Sequence, residues 1–490
     1  MATDTMQIDQ AADDRRRWTA LVVLCVGMLM IVLDVTVVNV ALPSIQTDLG
    51  FSQGNLAWVV NAYLISFGGL LLLAGRLGDL IGRKRVFMIG LAAFTVASLL
   101  CGLAQSQELL IAARFAQGIG GAMTSAVILG MIVTMFPEPK EQAKAIGIYG
   151  FVASAGGSIG LLAGGVLTET INWHWIFFIN LPIAVGTALA AARLIDNDEG
   201  IGLRRGADVL GALLVTSSLM LGVYTIVKAG DYGWGSLHTL GLGAASLALL
   251  AGFIARQAGA ANPLMPLRIF RSRNVPGANL VQVVAVAGMF GMFFMGTLYM
   301  ERVIGFDPLQ IGFAFLPATV VMGIFSAGLS ARLNARHGAR TTLVPALVLV
   351  ALSLGLFALA PADGSYAANV LAPVLLLGVG AGLAFPSLMT LAMSGATPED
   401  AGLASGLINT TAQVGGALGL AVLATLATSR TDDLLAAGEP ALEAITSGYR
   451  LAFALGAVLI GVAIAVAVAI LRPEAPARDA AGVEPAYAEA

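Results

Sequence analysis

The chain has 490 residues, of which 58% are hydrophobic and 11% charged, with a formal net charge of -3. Soluble domains carry about a quarter charged residues, so this composition excludes a water-covered globule and makes a bilayer the solvent. The near-neutral balance gives no sign of a nucleic-acid binder, and Cys25, Cys101, His174, His238 and His337 supply neither a metal site nor a histidine-based catalytic centre.

Apolar runs of about 20 residues, long enough to cross a hydrocarbon core of about 30 Å, recur along the whole chain. We count fourteen, centred near residues 30, 64, 95, 122, 157, 184, 218, 248, 288, 320, 351, 381, 415 and 460. They predict an all-α polytopic membrane protein. Both cysteines fall inside such runs and read as small hydrophobes. Residues 1–17 and 473–490 are polar and read as disordered tails. The run that follows Arg15, Arg16 and Arg17 lacks a small-residue cleavage pattern, so it reads as a retained first span rather than a secretory signal.

Basic residues set the orientation. Under strict alternation, Arg15–Arg17, Arg76, Arg83, Lys84, Arg85, Lys140, Lys144, Arg193, Arg204, Arg205, Arg256, Arg268, Arg271, Arg273, Arg332, Arg336, Arg340, Arg472 and Arg478 fall on one side. Lys228, Arg302, Arg430 and Arg450 fall on the other. The first side is therefore cytoplasmic, and it holds both termini.

A repeat emerges once the spans are numbered. The connector GRLGDLIGRKR, Gly75 to Arg85, returns as ARLNARHGAR, Ala331 to Arg340. Gly156, Gly160 and Gly164 of span 5 return as Gly415, Gly416 and Gly419 of span 13. Each offset is eight spans, which predicts two six-helix halves with spans 7 and 8 inserted between them. The corresponding divisions are an N-terminal bundle at 18–196, the inserted pair at 197–262 and a C-terminal bundle at 263–472.

Only two charges lie deep within spans, Asp34 in span 1 and Arg114 in span 4. A charge at that depth costs at least about 2.5 to 3.5 kcal/mol, so it needs a partner or a wet cavity. With span 1 ending near Pro43, Asp34 lies roughly 13 Å below the outer surface and Arg114 roughly 8 Å, close enough to meet directly or through a water. Two readings stay open: a static structural pair, or a proton or cation site. Asn39, Asn61, Tyr63, Gln117, Gln282, Asn409 and Gln413 are candidates for a substrate cavity, with interhelical hydrogen bonding as the alternative. Pro182, Pro317, Pro345, Pro373 and Pro386 are candidates for bends.

LDVTVVNVALP (33–43), RFAQGIGGA (114–122) and GRLGDLIGRKR resemble signatures of the major facilitator superfamily, specifically its fourteen-span drug:proton antiporter family. WVVNAYL (58–64), WHWIFFINLPI (173–183) and GLASGLINTTAQVGGALG (402–419) extend the resemblance to span 13. It implies the major facilitator fold and export of small amphiphilic compounds, driven by the proton gradient and needing no cofactor. It also implies a monomer in the inner membrane, with small molecules, protons and lipid as partners. Asp34 and Arg114 would then couple protons, while Gly75, Asp79, Gly82, Arg83 and Lys84 would form an inner gating loop.

Gly75, Gly78 and Gly82 suit a tight turn there, and Asp79 can accept from Arg83 or a helix N-terminus. The second copy has Ala335 at the Asp79 position, which makes the latch one-sided. Three further departures stand out. Leu161 replaces the family's proline in span 5, His174 an arginine and Glu301 a glutamine. Glu301 reads either as a cation-attracting rim carboxylate or as a partner of Arg302. Rival functions are weaker: a channel would need filter rings from several chains, and an enzyme a nucleophile with a base. Proton-coupled uptake on the same fold is the remaining alternative.

Overall fold

The computed structural model describes residues 2–200, 202, 208–261, 263–265, 268, 270, 272–394 and 401–472. Arg204, Arg205, Arg271, Arg478 and the segment 473–490 lie outside the described residues, as does the Lys140 side chain. Thirteen helices among the described residues are long and apolar enough to cross a membrane. A fourteenth helix, α5, spans Pro139–Thr170 and includes the apolar stretch Ile159–Thr170.

The helices run α1 (Ala2–Leu49), α2 (Gln53–Ile81), α3 (Arg83–Gly102), α4 (Gln107–Met135), α5, α6 (Trp175–Phe178), α7 (Asn180–Leu194), α8 (Val209–Tyr232) and α9 (Leu237–Gly259). They continue as α10 (Asn274–Arg302), α11 (Pro308–Ile324), α12 (Ala331–His337), α13 (Ala339–Phe357), α14 (Leu371–Met393), α15 (Ala401–Ala436) and α16 (Ala441–Ile470). α6 with α7 forms one span, and a π-helical turn, Phe325–Ser330, joins α11 to α12. A second π turn, Tyr366–Val370, leads into α14. Serine or aspartate side chains cap the starts of α2, α4, α8, α9 and α11, satisfying first-turn N–H groups that lipid cannot.

The first helix departs from the sequence expectation at both ends. It begins at Ala2, within the stretch read as a tail, because residues 2–17 contain neither glycine nor proline to stop it. It also passes through Pro43 to Leu49. Leu42 and Ile45 are fully buried on either side of that proline, and their packing holds the helix together where one backbone bond is lost. Asp34 is therefore fifteen residues from the end of its helix, about 22 Å along the axis, deeper than the roughly 13 Å that a span ending near Pro43 gives.

Helix pairs meet where small residues let backbones approach. A Cβ on Gly164 would stand 2.9 Å from the Val37 carbonyl, and one on Gly156 3.0 Å from Val32, so the glycine face of α5 lies on α1. Gly160 belongs to the same face, against Thr36 and Leu33. The repeat behaves alike: Gly415, Gly416 and Gly419 of α15 lie on Val283, Phe290 and Ala287 of α10. On its other side α5 meets α11, where a Cβ on Gly312 would come within 2.7 Å of the Leu161 carbonyl. The α5 helix runs unbroken through Leu161.

The other seam between the two halves joins α2 to α15, with Gly68 against Gln413 and Leu72 against Gly406. Helices α8 and α9 pack on each other, and α8 lies against both α2 and α15. Its first turn is pinned by Asp208, which accepts from the Gly211 N–H at 2.9 Å, Arg256 Nε at 2.6 Å and Gln257 Nε2 at 2.7 Å. Burial alone would raise the Asp208 pKa, but these three donors together hold it below the ordinary carboxylate value. Away from the seams the spans turn side chains such as Val96, Leu189, Leu247 and Val458 outward, as a lipid-facing surface requires.

Gly164→Val and Gly419→Val should each lower the midpoint of thermal unfolding in detergent, by a stability loss of about 1–3 kcal/mol. Gly461→Val, where nothing lies within 4 Å of the new Cβ, should leave the midpoint unchanged. Equal midpoints for all three would contradict the glycine-face packing.

Candidate functional site: a buried charge network in the N-terminal half

Asp34 of α1 and Arg114 of α4 are each 1% exposed and are in direct contact, Arg114 Nη1 donating to Asp34 Oδ2 at 2.6 Å. Removing two charges from water is costly, and further hydrogen bonds must satisfy what the pair leaves over. Those bonds are present. Arg114 Nε donates to the Val59 carbonyl of α2 at 2.9 Å, and Nη1 also donates to Gln117 Oε1 at 2.7 Å. The guanidinium lies 4.4 Å from the centroid of the Tyr63 ring and 5.8 Å from that of Phe177, within cation–π range.

The opposite oxygen, Asp34 Oδ1, accepts from Gln117 Nε2 at 2.7 Å and from Asn180 Nδ2 at 3.0 Å. Both amides also donate to Ser98 Oγ of α3, at 2.7 Å and 3.3 Å. Cys101 Sγ lies 3.6 Å from Gln117 Oε1. Five helices thus converge on one carboxylate: α1 supplies it, α4 the arginine and Gln117, α7 Asn180, α3 Ser98 and α2 the Val59 carbonyl with Tyr63. Each side chain touching Asp34 is a donor, and an ionised carboxylate offers only acceptors.

Gln117, read from sequence as a cavity residue, belongs to this network. Tyr63 stacks beside the guanidinium, and its hydroxyl is buried without a hydrogen-bond partner. Asn61 is fully buried with neither amide atom partnered, and Gln282 of α10 is 5% exposed with Oε1 unpartnered. Asn39 bonds to the Val35 carbonyl of its own helix at 3.1 Å. Asn409 is exposed, and Gln413 sits at the α2–α15 seam. The seven residues are thus distributed over several surroundings.

Asn180 and Ser98 are members of this network that the sequence does not single out, for a physical reason: each is a neutral side chain whose contacts appear only when α7 and α3 are packed against α1. Asn180 Oδ1 remains buried without a partner.

At the opposite end of α2 lies the 75–85 connector. Arg83 Nη2 donates to Asp79 Oδ1 at 3.2 Å, while Nη1 donates to the Gly130 carbonyl at 3.0 Å and to Thr134 Oγ1 at 2.9 Å. Gly75 faces Ala126, and a Cβ on Gly78 would stand 2.6 Å from Val127 Cγ1, so this end of α2 lies close on α4. Gly82 has φ +100°, a conformation that favours glycine. Lys84 Nζ donates to the carbonyls of Ala192 at 3.0 Å and Ile195 at 2.6 Å, at the end of α7. In the second copy Gly338 has φ +86°, and Arg340 Nη2 donates to the Val468 carbonyl near the end of α16 at 2.7 Å.

At the other end of the bundle, Trp173 Nε1 donates to Asp48 Oδ2 at 2.9 Å, and His174 stacks on Trp173 with ring centroids 3.8 Å apart. Burial lowers the His174 pKa, with Asp48 pulling the other way. Arg302 turns its guanidinium to Gln46 Oε1 of α1, and Glu301 keeps Oε2 buried without a hydrogen-bond partner. The Arg302 contact ties α10 to α1.

A helical bundle of this topology with a charge pair sealed among its spans defines a membrane transporter. Residues 24–420 match the model of the Major Facilitator Superfamily, and the chain belongs to that family. It is 38% identical to the puromycin resistance protein pur8 of Streptomyces alboniger over 92% of this chain and 91% of that protein. It is also 38% identical to the cephamycin export protein CmcT of Amycolatopsis lactamdurans, over 94% and 92% of the two chains. In fold it resembles the human organic anion transporter MFSD10, with a TM-score of 0.62 at 15% identity, covering 92% of this chain and 99% of that one.

Arg114→Ala leaves Asp34 buried and uncompensated, so it should cost about 3–5 kcal/mol of stability. Asp34→Asn placed on top of it should recover part of that loss, read as thermal unfolding of the detergent-purified protein. If Arg114→Ala unfolds at the wild-type temperature, the pair contributes nothing to stability.

Proposed function

We propose that the chain is a proton-coupled exporter of small amphiphilic organic compounds, with the Asp34 network as its proton site. The observation that carries this reading is that Asp34 faces donors alone: Arg114, Gln117 and Asn180. A proton on Oδ1 turns an acceptor into a donor aimed at the NH2 groups of Gln117 and Asn180, which must turn their amides to receive it, Asn180 bringing round its unpartnered Oδ1. It also removes the counter-charge of a buried guanidinium. Protonation therefore cannot leave this arrangement as it stands; the network must rearrange, and that rearrangement is the coupling between proton and conformation.

Export as the direction draws support from relatives named for antibiotic resistance and export. The proposal places both termini and the 75–85 connector in the cytoplasm of a cell with a proton gradient across its inner membrane. The working unit is a monomer of two bundles, 18–196 and 263–472, with 197–262 inserted, and no cofactor takes part. Glycine seams between α5 and α11 and between α2 and α15 are the surfaces on which the two bundles would rock.

The test is transport into inside-out vesicles with an acidified lumen. Wild-type protein should accumulate a fluorescent amphiphile, and Asp34→Asn should accumulate none above protein-free vesicles while still binding a neutral substrate. Gradient-driven accumulation by Asp34→Asn at the wild-type rate would remove Asp34 from the coupling step.

A further inference from the structure

The start of α3 lacks a cap of its own. Its N-cap residue is Gly82, which has no side chain to receive the first N–H groups of the helix. Those groups are received by a residue more than a hundred positions later: Asp198 Oδ2 accepts from the Arg83 N–H at 2.6 Å and Oδ1 from the Lys84 N–H at 3.0 Å. A carboxylate at a helix N-terminus is favoured by both hydrogen bonding and the helix dipole.

The exchange is reciprocal. Asp198 caps the start of α3, and Lys84 of α3 caps the last carbonyls of α7, the helix from which the Asp198 segment emerges. Backbone fit accompanies the charges. A Cβ on Gly82 would stand 2.6 Å from the Asp198 carbonyl, Gly200 lies directly on the Leu80 carbonyl, and the Gly202 N–H donates to that carbonyl at 3.0 Å. Asp196 on the same segment accepts from Arg16 of α1 at 2.6 Å.

We propose that Asp198 is a positioning residue of the gating loop: its cap on α3 holds Arg83 against Asp79 and Thr134, and release of that cap frees the loop to change partners during transport. The proposal rests on the transporter reading for its consequence, but the cap itself is testable without transport.

The experiment uses the full-length protein in nanodiscs with a nitroxide on Arg85→Cys, an exposed position one residue past the cap; Cys25 and Cys101 are buried. Asp198→Ala should sharpen the spectrum to that of a mobile label. Turnover in proteoliposomes should fall at least about fivefold, the worth of a lost cap, with substrate affinity unchanged. Asp198→Asn, which keeps one acceptor oxygen, should restore an intermediate spectrum and intermediate turnover. Gly200→Ala, which forces the Asp198–Gly200 segment off Leu80 with the carboxylate intact, should loosen the label in the same way and supplies the reading if Asp198→Ala does not fold. A label as immobile in both variants as in wild type overturns the cap. A mobile label with wild-type turnover overturns its role in gating. If wild-type protein itself moves no amphiphile, the export reading fails, and the spectra alone still decide the cap.

Discussion

A buried carboxylate must have its acceptors filled, and in this protein that requirement draws helices together from across the N-terminal half. Asp34 and Arg114 cannot be left alone in a low-dielectric interior, so α4 and α7 each present an amide side chain to the pair and α2 a backbone carbonyl, while Ser98 of α3 holds the two amides. Losing any one partner leaves another exposed to an apolar surrounding. The position of α7 against α1 and α3 is tied to the charge state of a single side chain through Asn180. In the proposed exporter, it is this shared dependence on one carboxylate that would link a proton to helix position.

Two mechanical elements surround that site. Glycine faces bring α5 close against α1, and α15 close against α10, with α5 also meeting α11 and α15 meeting α2. The 75–85 connector stands at the end of α2 and α4, the two helices that hold Arg114 by its Val59 contact and its own backbone. A shift of α4 relative to α2 at the charge network is thus carried along two rigid helices to Arg83, which bonds to Gly130 and Thr134 of α4 and to Asp79 of α2. Those two helices and their polar clusters are the route by which the proposed coupling would run.

Much of this was legible in the sequence, and the reasons are physical. Apolar length marks the spans, because a bilayer imposes a minimum on each one. Asp34 and Arg114 stand out because charge within a span is expensive, and the glycine repeats because their spacing makes a face. What stays hidden depends on long-range packing. Asn180 reads as an ordinary start of α7, and Ser98 as one small residue among many in α3. Asp198 sits in the acidic run DNDEG, which reads as a solvated linker until the fold brings it beneath Gly82. Pro43 suggests a terminus because proline costs a helix one bond, yet buried neighbours outweigh that cost.

The central claim is that one carboxylate carries the exchanged proton. Its most direct test is proton release from detergent-purified protein in weak buffer on addition of a cationic amphiphile, followed with a pH-indicator dye. Wild-type protein should release protons in proportion to bound substrate, and Asp34→Asn should release none at the same occupancy. Equal release from the two proteins would contradict the account and leave the buried pair a static structural element.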